Sequence, residues 1–279
     1  MGSAEINTIL VNDPGDARLV PYRQLRENRL PRPSEGAPLG VFIAEGEKVV
    51  RRFAEGRARF ALQSVLLAES RFDRDRGWLA GMPEGTPVYL AERGVMDRIV
   101  GFPIHRGVLA AGIRLPDPPL AELLAEARTL IILEGLANHD NVGGIFRAIA
   151  ALGPSAAVLL DPTSCDPLYR KAIRVSMGHA LSVPFARAEP WPDALDAVRD
   201  AGFEIAALSL GPGSSPIMPP TTGARPTAWL LGAEGPGLSA EARAAADRLV
   251  RIPMQPGVDS LNVVTAAAIA LHCAHAGLG

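Results

Sequence analysis

Three short segments in the second half of the chain combine small residues with polar side chains that could do chemistry. They are Asn141-Val-Gly-Gly-Ile-Phe-Arg147, Leu231-Gly-Ala-Glu-Gly-Pro-Gly-Leu-Ser239 and Ile252-Pro-Met-Gln-Pro-Gly-Val-Asp-Ser-Leu-Asn262. Each lies at the end of an apolar run that is typical of a strand. Because glycine has no Cβ, the backbone of such a segment can approach a ligand closely. These segments are therefore the candidate ligand-binding and catalytic parts of the chain.

The first segment begins at a predicted helix start and carries Arg147 six residues after Asn141. One interpretation makes Asn141 the N-cap of the helix and Arg147 a surface residue. The other places Arg147 in the first turns of the helix, where its planar guanidinium can hold a phosphate or a ribose oxygen. The residues alone leave both interpretations open.

The second segment follows a predicted strand and precedes a predicted helix. Its glycines do not have the G-x-G-x-x-G spacing of a dinucleotide-binding loop, which disfavours a Rossmann-type oxidoreductase. Ordinary turn chemistry explains the glycines and Pro236, but it does not explain a carboxylate, Glu234, set between them.

The third segment holds two prolines and a glycine, which exclude regular structure. Its backbone N–H and C=O groups must therefore find partners other than a helix or a sheet. The edge of an adenine ring is one such partner. Ser260 and Asn262 come at the predicted start of the last helix, and Ser260 is expected to cap it.

Strand-like and helix-like stretches alternate regularly after Arg128, which predicts an α/β domain with a mostly parallel sheet covered on both faces. The predicted strands are Leu130–Leu133, Ala156–Leu160, Glu204–Leu208, Ala228–Leu231 and Leu249–Ile252. The predicted helices are Ile145–Leu152, Ala194–Ala201, Ala240–Ala246 and Asn262–Ala276.

Three prolines within residues 113–120 predict a stiff linker between two domains. A second α/β pattern precedes it, with apolar runs at Gly40–Ala44, Gln63–Ala68, Pro87–Ala91 and Ile104–Ala110. The chain opens with a locally basic stretch carrying Arg18, Arg23, Arg26, Arg29 and Arg32. This stretch either contacts phosphates or is a solvated arm.

In their order, the three glycine-containing segments resemble the three motifs of the SpoU (TrmH-like) family of RNA ribose methyltransferases. The resemblance spans roughly residues 128–276, and Ala233 stands where many members carry asparagine or serine. It implies the SPOUT fold with its trefoil knot, S-adenosylmethionine as cofactor, and methyl transfer to a ribose 2′-hydroxyl of RNA.

The resemblance also assigns residues to roles. The expected catalytic residues are Asn141, Arg147, Glu234, Ser260 and Asn262. The expected cofactor-binding residues are Leu208, Gly232, Glu234, Gly235, Ile252, Met254 and Leu261. Members of the class are homodimers that use the knotted region, and the same assembly is expected here.

The resemblance completes the domain prediction. It gives a basic arm at residues 1–37, a small α/β RNA-binding domain at 38–112, the linker at 113–120 and the methyltransferase domain at 121–279. A fragment that starts near Pro118 is expected to fold alone. Ribosomal RNA is favoured over transfer RNA because the additional domain is typical of the ribosomal-RNA enzymes. A non-catalytic RNA-binding module on the same fold is the other alternative.

Composition agrees with an ordinary globular protein of two domains, with 279 residues, 48% hydrophobic residues and a formal net charge of −2. That near-neutral balance excludes a uniformly basic coat. Cys165 and Cys273 are too few for a disulfide scaffold, and with no apparent secretory signal they predict a cytoplasmic location. His272 and His275 have no third ligand at suitable spacing, so no metal site is expected. No membrane association is expected either.

Overall fold

The computed structural model describes residues 6–23, 25, 40–221 and 223–275. It divides into two compact units, the first comprising Met1–Pro116 and Pro167–Ser182 and the second Asp117–Asp166 and Val183–Gly279. The division after Pro116 falls within the stretch predicted as a linker. The grouping of residues 167–182 with the first unit differs from the prediction, which placed them in the methyltransferase domain.

The described ranges contain the following elements in chain order. The strands are β1 (Thr8–Leu10), β2 (Val41–Glu45), β3 (Leu62–Ala68), β4 (Val88–Ala91), β5 (Val108–Ile113), β6 (Thr129–Glu134), β7 (Ala156–Leu160), β8 (Phe185–Arg187), β9 (Glu204–Leu208), β10 (Ser215–Pro216), β11 (Thr227–Gly232) and β12 (Arg248–Arg251). The helices are α1 (Glu47–Ala54), α2 (Phe72–Leu79), α3 (Arg93–Val100), α4 (Leu120–Glu126), α5 (His139–Leu152), α6 (Arg170–Val175), α7 (Ala194–Asp200), α8 (Ala240–Ala244) and α9 (Val263–His275), with short 3-10 helices at Ala17–Tyr22, Glu69–Arg71 and His179–Leu181.

The first unit is built on a five-stranded sheet in the order β1-β4-β3-β5-β2. Strand β5 runs antiparallel to both of its neighbours, and the remaining pairs are parallel. Helix α1 buries Val49, Val50 and Phe53 because these apolar residues recur on one side of its turns. The α/β character expected for residues 38–112 is therefore present.

Part of the predicted basic arm belongs to this unit. Strand β1 extends the sheet beside β4, and the following 3-10 helix buries Leu19 and Tyr22 completely. The Tyr22 hydroxyl lies 2.7 Å from the Ser64 hydroxyl. Arg18 pairs with the carboxylate of Asp16. These residues are packed because their apolar side chains fill the core, so a wholly solvated arm is incorrect here. Arg26, Arg29 and Arg32 lie outside the described residues.

A later segment of the chain, residues 167–182, completes the first unit. Helix α6 packs against β2 and has Ala172 and Ile173 fully buried. Its guanidinium groups at Arg170 and Arg174 lie 3.2 and 3.4 Å from the Glu45 carboxylate. The carboxyl end of the segment is also tied down, because the backbone N–H of Arg59 donates to the carbonyl of Leu181 over 2.8 Å.

The second unit is a seven-stranded sheet in the order β10-β12-β9-β11-β6-β7-β8 with every pairing parallel. This confirms the mostly parallel sheet expected from the sequence. All residues of β6 and of β7 are buried, as expected for parallel strands covered on both faces.

Helices cover both faces of this sheet. Residues of α4, α7 and α8 share a core with Leu130, Ile132 and Leu230 on one face. Helices α5 and α9 pack on each other, and α9 also contacts β6 and β11. A Cβ at Gly144 of α5 would lie 2.7 Å from a methyl group of Val264 in α9. Glycine at this position therefore permits the close helix contact, and the start of α9 borders the cavity described below.

Candidate functional site

A cavity of about 840 Å³ lies at the carboxyl ends of β9, β11 and β12, beside the start of α9. Ligand sites of parallel sheets commonly occupy this edge. All of the residues predicted to bind the cofactor line it, namely Leu208, Gly232, Glu234, Gly235, Ile252, Met254 and Leu261. Ser260 and Asn262 also line it. The second and third sequence segments thus meet at one cavity.

Asn262 joins the three segments through its side chain. Its Nδ2 donates to Glu234 Oε1 over 2.7 Å and to Asn141 Oδ1 over 3.1 Å. Its Oδ1 accepts the backbone N–H of Val264 over 2.9 Å, which caps α9. The expectation that Ser260 caps this helix is wrong because α9 begins at Val263, directly after Asn262. Ser260 is exposed at the cavity wall.

The N-cap of α5 is also a different residue from the one considered in the sequence. Asn138 occupies that position and accepts the backbone N–H of Asp140 over 2.9 Å. Asn141 is the third residue of the helix and is buried, so its amide is free of capping and faces Asn262. The capping interpretation of Asn141 is therefore incorrect.

Arg147 stands apart from this cluster. Six residues along a helix correspond to a rotation of roughly 240°, so Arg147 and Asn141 leave α5 on different sides. The Arg147 side chain is exposed and does not line the cavity. In the part of the chain that the structure describes, its guanidinium makes no hydrogen bond or ion pair. The fold thus brings Asn141, Glu234 and Asn262 together, whereas Arg147 lies away from them.

The loop after β11 returns tightly on itself at Gly232. A Cβ there would lie 2.3 Å from the carbonyl carbon of Gly237 and 2.4 Å from the nitrogen of Leu238. Both are backbone atoms, which have no rotamer to move aside. The backbone N–H of Gly237 donates to the carbonyl of Ala233 over 3.0 Å, which closes the turn. The glycine is therefore required for the shape of the cavity wall.

We expect Gly232→Val to weaken binding of S-adenosylmethionine by at least about tenfold, because overpacking against fixed backbone forces the loop outward. Gly257→Val should have a smaller effect, because Gly257 needs only its positive φ of 87° and has open space around it. Calorimetric titration of both variants checks the order. Gly202→Ala, with a φ of 92° and open surroundings, is the control for backbone strain alone. Parental affinity in Gly232→Val would contradict the role of this loop.

The sequence prediction missed Glu134, which anchors the far end of the same loop. Its Oε1 accepts from the Trp191 indole N–H and from the Ser239 hydroxyl, each over 2.8 Å. Its Oε2 accepts the backbone N–H of Ser239 over 2.8 Å. The carboxylate is buried at the end of β6, and these three hydrogen bonds satisfy it in place of water. A carboxylate closing an otherwise apolar strand was the signal available in the sequence.

A second missed carboxylate, Asp161, supports the turn between β6 and α5. It accepts the backbone N–H groups of Gly135 over 3.1 Å and Ser164 over 2.8 Å. Burial acts to raise the pKa of Asp161, but hydrogen bonds from Ser164, Thr163 and the backbone outweigh it and lower the pKa. The group is therefore an ionised structural acceptor at neutral pH.

Cys165 is unsuited to nucleophilic chemistry. Burial, and then the charge of Asp166, raise the pKa of its thiol to about 12. In the described ranges, no group of three or more His, Cys, Asp or Glu side chains is arranged to hold a metal ion. Those ranges also hold no helix with the length and apolar character needed to cross a membrane.

Comparison of the sequence with known proteins identifies one family. The family model described as SpoU rRNA Methylase matches residues 128–272, about half of the chain. A protein of Mycobacterium tuberculosis (strain CDC 1551 / Oshkosh) named as an uncharacterized tRNA/rRNA methyltransferase is 45% identical over 267 residues, which are 94% of this chain and 90% of that protein. The 23S rRNA (guanosine-2′-O-)-methyltransferase RlmB of Nitrosomonas europaea is 29% identical over 76% of this chain and 82% of its own length.

Two solved structures show the same fold over nearly the whole chain. The AdoMet-bound rRNA methyltransferase from Sinorhizobium meliloti has a TM-score of 0.76 at 23% identity, covering 98% of this chain and 99% of that one. The SpoU methyltransferase AviRb from Streptomyces viridochromogenes, in complex with AdoMet, has a TM-score of 0.75 at 22% identity, covering 94% and 99%. The match to the family model and the 45% identical mycobacterial relative show that the chain belongs to the SpoU rRNA methylase family.

Proposed function

We propose that this SpoU enzyme, an S-adenosylmethionine-dependent RNA methyltransferase, methylates a ribose 2′-hydroxyl of ribosomal RNA at the cavity beside α9. The observation that carries the proposal is the hydrogen-bonded set of Glu234 and Asn262 at the wall of that cavity and Asn141 directly behind Asn262. A module that had lost catalysis would have no need to keep three polar side chains aligned there. The non-catalytic alternative is therefore not favoured.

The cavity suits the methyl donor in size and in the character of its lining. A volume of about 840 Å³ lies within the range of small-molecule sites. Gly232, Ile252 and Leu261 would offer main-chain groups to the adenosine part, and Leu208 and Met254 would offer apolar contact. Bound there, S-adenosylmethionine supplies an activated methyl group together with its leaving group.

The residues of the chain would then position the acceptor. Asn262 is fixed from both ends, by the cap it forms on α9 and by the carboxylate of Glu234. Arg147 stays protonated in proteins, so we assign it to orienting and polarising the ribose hydroxyl rather than to removing its proton alone. Ser260, exposed at the cavity wall, is proposed as an additional contact to the acceptor.

The choice of ribosomal RNA rests on the names of the family model and of the Nitrosomonas relative. Transfer RNA is the alternative, since the mycobacterial relatives are named for both substrates. We propose that the first unit selects the RNA and that the protein acts as a homodimer in the cytoplasm. Light scattering of the purified protein tests the dimer. The trefoil knot remains a prediction.

Methyl incorporation tests the proposed function. Purified protein is incubated with labelled S-adenosylmethionine and, separately, with unmodified ribosomal and transfer RNA. We expect label in the ribosomal fraction, at a ribose that becomes resistant to alkaline cleavage. Label only in transfer RNA would contradict the substrate, and label on a base would contradict the reaction. Asn262→Ala is the control for contaminating activity, because it removes the residue that joins the three segments.

A further inference from the structure

Arg243 brings a guanidinium without a partner to the wall of the cavity. Its side chain is exposed, and among the residues that the structure describes it forms no hydrogen bond or ion pair. The other arginine of the lining, Arg251, donates to the carbonyl of Ser214. Glu234, a carboxylate of the same lining, accepts a hydrogen bond from Asn262 over 2.7 Å rather than from Arg243. Arg243 is therefore a cation at the cavity that is available to an anion from outside the described chain.

The backbone of Arg243 is held firmly although its side chain is free. Its N–H donates to the carbonyl of Ser239 over 3.1 Å, and the preceding residue, Ala242, is fully buried. Ser239 caps α8 by accepting the N–H of Ala242 over 3.0 Å, and its hydroxyl is bound by the buried Glu134. The cavity wall and the base of the arginine are thus parts of one fixed structure, and only the side chain needs to be ordered by a ligand.

We propose that Arg243 binds the carboxylate of the methionine part of S-adenosylmethionine. Arginine matches a carboxylate with two parallel N–H···O bonds, which a solvated point charge cannot do. An RNA phosphate is the competing anion. The donor is favoured because Arg243 lines the same cavity as Gly232, Ile252 and Leu261, the residues proposed above to hold the adenosine part.

Calorimetric titration of Arg243→Ala with three ligands tests this assignment. S-adenosylmethionine and S-adenosylhomocysteine both carry the carboxylate, whereas 5′-methylthioadenosine lacks the whole amino-acid part. We expect the first two to bind about tenfold more weakly than to the parent, as for loss of a charge-assisted hydrogen bond at an exposed site. The affinity for 5′-methylthioadenosine should stay unchanged. Arg225→Ala, which removes an exposed arginine outside the cavity, is the matched control.

Two results would overturn the inference. Equal weakening of all three ligands would mean that the variant distorts the cavity wall. Unchanged donor affinity, with an RNA salt dependence reduced by about one unit of slope, would make Arg243 a phosphate contact instead. The inference rests on the proposed donor site, and a wrong donor site would give a different result. In that case Gly232→Val would bind all three ligands as tightly as the parent does. A weakened Gly232→Val with an unaffected Arg243→Ala would refute the arginine assignment alone.

Discussion

Replacing Arg147 with alanine is expected to reduce methyl transfer to background, a loss of at least about 10²–10³-fold, while leaving donor affinity within a few-fold of the parent. The loss of transfer follows from the proposed role of Arg147, and the structure supports the unchanged donor affinity. Arg147 does not line the donor cavity, so its loss removes no donor contact. It is exposed on α5 without a partner in the described chain, so its removal should also change the free energy of unfolding by less than about 0.5 kcal/mol.

The measurement is single-turnover methyl transfer alongside donor titration and thermal unfolding. Arg147→Lys should fail as well, because an ammonium cannot reproduce the planar guanidinium. Arg225→Ala, another exposed arginine of the second unit, is the control and should keep full activity. Substantial transfer by Arg147→Ala would remove Arg147 from the mechanism. A matching loss of donor affinity would instead place it at the cavity.

A fragment comprising residues 117–279 is expected not to fold stably by itself. This reverses the expectation drawn from the sequence, because residues 167–182 pack within the first unit. Without that unit the fragment would expose Leu168, Ile173 and Leu181, which are at most 1% exposed in the full chain. Burial of each such side chain contributes roughly 2 kcal/mol. Exposed together, they would favour association of the fragment through this segment, which competes with stable folding.

Replacing residues 167–182 with a glycine–serine linker of equal length provides the matched fragment. We expect the unmodified fragment to aggregate or melt without cooperativity, and the linker fragment to melt cooperatively and retain donor binding. Size-exclusion chromatography, circular dichroism and donor titration distinguish the two. If the unmodified fragment behaves like the full chain in all three measurements, then the segment does not depend on the first unit.

The sequence by itself determined the parallel sheet and the location of the cavity. Continuous apolar runs mark β6, β7, β9 and β11 because strands covered on both faces bury nearly all of their side chains. Glycines after such runs mark loops with close backbone contacts, as the geometry at Gly232 shows. Motif order then identified the family, which the match to residues 128–272 confirms. These features are local, so a short stretch of sequence carries them completely.

Only the tertiary structure decided which distant groups meet. Nothing near Glu134 in sequence indicates that it holds Ser239, and nothing near Ile173 indicates that α6 packs on β2. Likewise, Asn262 rather than Ser260 caps the last helix because α9 begins at Val263, and α9 packs closely on α5 where Val264 meets Gly144. The local pattern of residue types indicates that a side chain is buried or that a turn is tight. The identity of the partner is fixed by packing between segments far apart in the chain, and that information is absent from any local window.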